Sequence, residues 1–166
     1  TQVGLNYSRP AAQILGQYYQ FIRLGFEGYR NVQYNSMQIA KYLHAQISAF
    51  PEFEPYSPDV PNPIVTWLMN PEVQKDAKWT LYDLQDKLAQ HGWMVPAYAM
   101  PVNIQDMVVM RVLCKQGFSR DMCDELLHDI KAAVAELNAL EYPTTTRIAM
   151  EKNIPLASKS FNHTGK

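Results

Sequence analysis

Arg111 stands in the run Val108-Val109-Met110-Arg111-Val112-Leu113-Cys114, which is otherwise apolar. A guanidinium in such a place must be paired or lie close to a surface, and its planar fork can grip a carboxylate at two points. The residues alone leave a structural ion pair and a carboxylate-binding group level. Ser8 sits where a strand-like segment meets a helix start at Ser8-Arg9-Pro10. Free amides and the helix dipole make that junction suited to phosphate, although a helix cap is the ordinary reading of a serine there. His163 follows Phe161 in a polar ending; a solvated imidazole is the default, and its functional interest is a charge that changes in mild acid.

Other reactive side chains carry less. Cys114 and Cys123 have neither a Cys-x-x-Cys spacing nor clustered histidines beside them, so they read as reduced structural thiols, and no metal site is expected. His44, His91 and His128 fall in or beside amphipathic segments and read as structural or surface groups. Tyr18, Tyr19 and Phe21 read as core or interface. There is no glycine-rich phosphate loop or serine nucleophile elbow, so no self-contained reaction is visible.

The elements that must position these groups follow from periodicity. Ile14, Leu15, Tyr18, Tyr19, Ile22 and Phe26 recur at helical spacing broad enough to bury more than one face, and Pro10 suits the first turn. Gly25 and Gly28 interrupt the pattern before Val32, Ile39, Leu43 and Ile47 resume it. One long bent helix or two abutting helices are expected, able to link two domains. Residues 51–63 hold five prolines and read as a loop. Ile64-Val65-Thr66-Trp67-Leu68-Met69 reads as a buried strand. Thr80 and Asp83 resemble a capping box before Leu81, Leu84 and Leu88, and Gly92 ends that helix. Residues 107–113 read as a second strand, with Met107, Val109, Arg111 and Leu113 on one face, so that Arg111 projects among apolar neighbours. Ser119 caps a last long helix through Cys123, Leu126, Ile130, Val134 and Leu137. An α/β arrangement results, a small sheet covered by helices on one face. The expected organisation is a linking helix in 1–50, an α/β domain in 51–142 and a mobile tail in 143–166.

The 166 residues are 47% hydrophobic with a formal net charge of −1, which offers no basic face for nucleic acid or an acidic membrane. No apolar run approaches the ~20 residues of a membrane span, and no secretory signal pattern opens the chain, so a cytoplasmic location is expected. The chain starts without an initiator methionine and reads as a piece of a longer protein.

The stretches Leu5-Asn6-Tyr7-Ser8-Arg9-Pro10-Ala11, Gln17-Tyr18-Tyr19, Thr80-Leu81-Tyr82-Asp83-Leu84, Gly92-Trp93-Met94-Val95-Pro96-Ala97, residues 106–114, and Ser160-Phe161-Asn162-His163-Thr164 follow one another along the chain. Together they resemble the C-terminal part of bacterial glutamate decarboxylases. The resemblance implies the small domain of the aspartate-aminotransferase-like enzymes of fold type I, preceded by a long interdomain helix. It implies pyridoxal 5'-phosphate as cofactor, L-glutamate as substrate, 4-aminobutyrate and carbon dioxide as products, and a homodimer or higher homo-oligomer. By position, Ser8 resembles the serine that reaches the cofactor phosphate of the neighbouring subunit, Arg111 the arginine that pairs with the substrate α-carboxylate, and His163 the histidine of a tail that closes the active site as pH rises. The Schiff-base lysine of that family follows a histidine. His44, His91, His128 and His163 are followed by Ala, Gly, Asp and Thr, so that lysine is expected upstream of Thr1 and the chain alone is expected to be inactive. A proton-consuming decarboxylase of this kind would support acid resistance. The alternatives are another decarboxylase of the same fold, or a noncatalytic assembly module.

Overall fold

The computed structural model describes residues 10–152. Ser8 and His163 lie outside the described residues. The chain divides into two compact units, one ending at Asn35 and the other beginning at Ser36.

Helix α1 (Ala12–Ile47) starts just after Pro10 and is broken at Gly25, whose φ of 57° and ψ of −171° are non-helical. Only glycine reaches that conformation without a Cβ penalty, so the interruption expected from sequence is a kink at Gly25. In the first unit, Ile14, Leu15, Tyr18, Tyr19, Ile22 and Phe26 are exposed rather than buried. Their helical spacing was legible, but nothing described within this unit covers them, and a helix that is apolar on several sides needs another surface.

The second unit opens with the last part of α1, which contributes Ile39, Ala40, Leu43 and Ile47 to the core. Strand β1 (Phe53–Pro55), β2 (Ile64–Met69), helix α2 (Pro71–Asp76), helix α3 (Leu81–Gln90), β3 (Ala97–Ala99), β4 (Val108–Leu113), helix α4 (Arg120–Asn138) and helix α5 (Thr145–Glu151) follow. The four strands form one antiparallel sheet in the order β1-β2-β4-β3. Strands β2 and β4 match the two expected from sequence. The three-residue strand β1 lies in the proline-rich stretch read as a loop; as an edge strand it tolerates Pro55.

Val65, Trp67 and Met69 of β2 and Met110 and Val112 of β4 point into a core shared with Leu84 and Leu88 of α3 and Leu126, Ile130 and Val134 of α4. Ser119 caps α4 by accepting the Met122 amide at 3.1 Å. At the start of α3, Asp83 accepts from the Thr80 amide at 2.7 Å and the Thr80 hydroxyl at 2.8 Å. The same carboxylate accepts the Thr144 hydroxyl at 2.9 Å, fixing the start of α5 beside the start of α3. Helix α5 falls in the stretch where the apolar period fades; a Thr144 cap on the Arg147 amide and an Arg147–Glu151 pair at 2.8 Å hold it instead. Among the described residues no helix is long and apolar enough to cross a membrane.

Candidate functional site

Strand β4 carries Arg111 on the face opposite the helices. Alternation sends Met110 and Val112 into the core and leaves Val109, Arg111 and Leu113 on the outer face. The shared face of those three matches the expectation. Arg111 is exposed, close to a surface and beside Thr66 of β2, its partner in register. Both faces of β4 are apolar, so composition does not distinguish the helix-covered face from the open one.

The outer face is concave. Thr66, Tyr98, Val109 and Arg111 form its floor, and Ser57 and Asp59 with His44 of α1 form a wall around about 370 Å³. His44 Nε2 lies 2.9 Å from the Ser57 carbonyl, which ties the 56–62 loop to α1. Strand β3 is held on its other side by α3, where Gln85 Oε1 accepts the Ala97 amide at 2.7 Å. The Tyr82 phenol, also on α3, meets the Ala99 backbone and is pushed upward in pKa mainly by burial.

Arg111 makes no hydrogen bond or ion pair with any described residue. Its one described partner is the Tyr98 ring, whose centroid lies 5.6 Å from the guanidinium carbon. A structural ion pair within the described residues is therefore not what retains this arginine. No described residue takes up its donors, and a carboxylate matches them in shape.

The remaining candidates separate from this face. Cys114 and Cys123 are buried, free thiols. Burial first, and then the neighbouring Cys123, pushes Cys114 up to about 12, while Cys123 is pushed up to about 11, again mainly by burial. Both act as small apolar core residues. His91 and His128 are exposed, the latter 3.3 Å from Asp129. Among the described residues no group of three His, Cys, Asp or Glu side chains is placed to hold a metal ion. Sequence reasoning missed Tyr98 and the loop-tying role of His44. Tyr98 belongs to a strand only three residues long, and nothing local shows which residue it stands beside.

No family model matches the chain. Among curated proteins it is similar to glutamate decarboxylase beta of Listeria innocua, at 38% identity over 134 residues, which is 81% of this chain and 28% of that protein. Glutamate decarboxylase of Aliivibrio fischeri is 42% identical over 131 residues, 78% of this chain and 28% of the relative. The chain thus spans a little over a quarter of the length of the curated relatives it matches. Among solved structures, glutamate decarboxylase of Lactobacillus brevis superposes with a TM-score of 0.77 at 33% identity, covering 82% of this chain and 31% of that one. A sphingosine-1-phosphate lyase of Burkholderia pseudomallei, at 18% identity and a TM-score of 0.64, covers 90% of this chain and 30% of its own and shares the fold. The fold-type I arrangement expected from the resemblance is the one found. In sequence and in fold, the chain is a homologue of the C-terminal portion of the glutamate decarboxylases.

Proposed function

We propose that the chain is the C-terminal portion of a pyridoxal-phosphate-dependent glutamate decarboxylase, and that Arg111 receives the α-carboxylate of L-glutamate. The observation that carries this reading is a guanidinium without an anionic partner among the described residues, aimed into the concavity of the open sheet face. A two-point grip on the carboxylate fixes the bond that breaks in one orientation, and such positioning is a large part of what a protein adds to this chemistry.

The described residues do not by themselves form the cofactor site. No lysine lines the concavity, and no histidine in the sequence is followed by lysine. The covalent anchor then belongs to the rest of the longer protein. Pyridoxal phosphate would supply the electron sink for loss of the carboxylate; the part of this chain is to bind and orient the substrate. Ser8, outside the described residues, is assigned to the cofactor phosphate of a neighbouring subunit. A homodimer or larger homo-oligomer follows, and the exposed apolar side chains of Ala12–Ile47 before the Gly25 kink support burial against another surface. Decarboxylation consumes a proton, which fits a cytoplasmic enzyme acting in acid resistance, with His163 as the pH-sensitive group of the ending.

The test is a substrate profile of the longer protein with pyridoxal phosphate, measuring carbon dioxide release from glutamate, aspartate and aromatic amino acids. Preference for glutamate is expected. Preference for an aromatic amino acid would replace the assignment with another decarboxylase of this fold.

A further inference from the structure

We propose that Tyr98 is a positioning residue for Arg111: the face of its ring holds the guanidinium in the orientation that accepts a carboxylate. This rests on the reading of Arg111 given above and adds the residue that makes its fork specific. An exposed arginine has several low-energy rotamers, and a two-point grip needs one of them. Backbone pairing places the Arg111 Cα opposite Thr66, but it does not orient the end of so long a side chain.

Tyr98 supplies what the backbone cannot. It stands opposite Val109 on the outer face, diagonal to Arg111, with its ring 5.6 Å from the guanidinium carbon. A cation over an aromatic face is attracted by the ring quadrupole, and that contact leaves the N–H edges of the guanidinium open. The Tyr98 hydroxyl makes no hydrogen bond with a described residue, so the ring is the working part. The strand beneath it is secured twice, by pairing with β4 and by the Ala97 amide bond to Gln85 at 2.7 Å. A three-residue edge strand would otherwise fray, and the ring would move with it.

The experiment uses the longer decarboxylase loaded with pyridoxal phosphate and compares Tyr98→Leu, Tyr98→Phe and Arg111→Lys. Tyr98→Leu is expected to lower kcat/KM for glutamate by about three- to thirtyfold, the span of such contacts from exposed to desolvated sites. The loss should appear partly as a raised KM. Tyr98→Phe, which keeps the ring, is expected to recover most of the loss. Tyr98→Ile, suited to a strand, is read in the same way should the leucine variant not fold. A folded Tyr98→Leu or Tyr98→Ile variant within about twofold of the parent overturns the proposal, as does a loss confined to kcat or a Tyr98→Phe variant as damaged as Tyr98→Leu. Arg111→Lys separates the two levels. If it is crippled while Tyr98→Leu is silent, only the role of Tyr98 fails; if Arg111→Lys itself is silent, the underlying reading of Arg111 fails.

Discussion

Replacing Arg111 by lysine keeps the positive charge and removes the fork. The guanidinium has no ion pair or hydrogen bond with a described residue, so among the described residues its substitution alters only the contact with the Tyr98 ring and exposes no buried group. The expected change in folding stability is within about 0.5 kcal/mol, as for other exposed sites. The effect on turnover is different. Two charge-assisted hydrogen bonds to a carboxylate become one, at roughly 1.5–3 kcal/mol for the bond lost, and the contact of the guanidinium with the Tyr98 ring is weakened, at about 0.5–1 kcal/mol. Together these give about 2–4 kcal/mol of lost transition-state stabilisation, or roughly 30- to 900-fold in kcat/KM. The assay is 4-aminobutyrate formation by the longer protein over a range of glutamate concentrations, with thermal unfolding of both proteins as the control for folding. A variant that melts with the parent and retains kcat/KM within about twofold would remove Arg111 from substrate binding.

His163→Ala, or truncation after Lys152, should leave acid activity nearly intact and extend it towards neutral pH. An ordinary imidazole is charged in acid and uncharged towards neutrality, and the proposed role of His163 rests on that change, so superimposable pH–rate profiles of variant and parent would remove His163 from regulation. Asp83→Ala strips the acceptor shared by Thr80 and Thr144 and should lower stability by about 1–3 kcal/mol, read as a lower urea midpoint. Asp129 is held below the usual carboxylate range first by the Trp93 indole N–H at 2.7 Å, against a smaller opposing effect of burial. A depressed folded value contributes stability above the unfolded pKa, and this is lost as pH falls through the folded one. Trp93→Phe should therefore open a stability gap from the parent that narrows as pH falls through and below the ordinary carboxylate range; a gap constant with pH in urea melts would contradict this. Cys114 and Cys123 should resist a thiol reagent in the folded protein at mildly alkaline pH and react once it is unfolded, and stoichiometric labelling of the native form would show that their burial is not as described.

The legible parts of the fold are those whose signal is local. Ile64–Met69 is a continuous apolar run, Thr80 and Asp83 frame the start of α3, and Ser119 starts a helix with an apolar stripe running to Leu137. Strands β1 and β3 were not legible, because three residues have too little pattern and their conformation comes from pairing with β2 and β4. Helix α5 depends on Thr144 and Asp83, a contact between residues 61 apart in the chain. At the site, the parity of Arg111 with Val109 and Leu113 could be read from alternation, but not which face the helices cover. Ile64, Leu68, Val109 and Leu113 make the open face as apolar in composition as the core face. That no described residue gives Arg111 an anionic partner depends on the tertiary surroundings, which local sequence does not show. The roles given to Ser8 and His163 rest on resemblance, since both lie outside the described residues.

The most direct measurement follows the fate of the group that Arg111 is proposed to hold. The longer protein carrying this chain is incubated with pyridoxal phosphate and glutamate labelled with heavy carbon in its α-carboxylate, and the gas and the amine are analysed by mass. The label is expected to leave entirely as carbon dioxide, with unlabelled 4-aminobutyrate formed in equal amount, and Arg111→Lys is expected to suppress both together. Label retained in the amine, or labelled gas released equally fast by the Arg111→Lys variant, would contradict this.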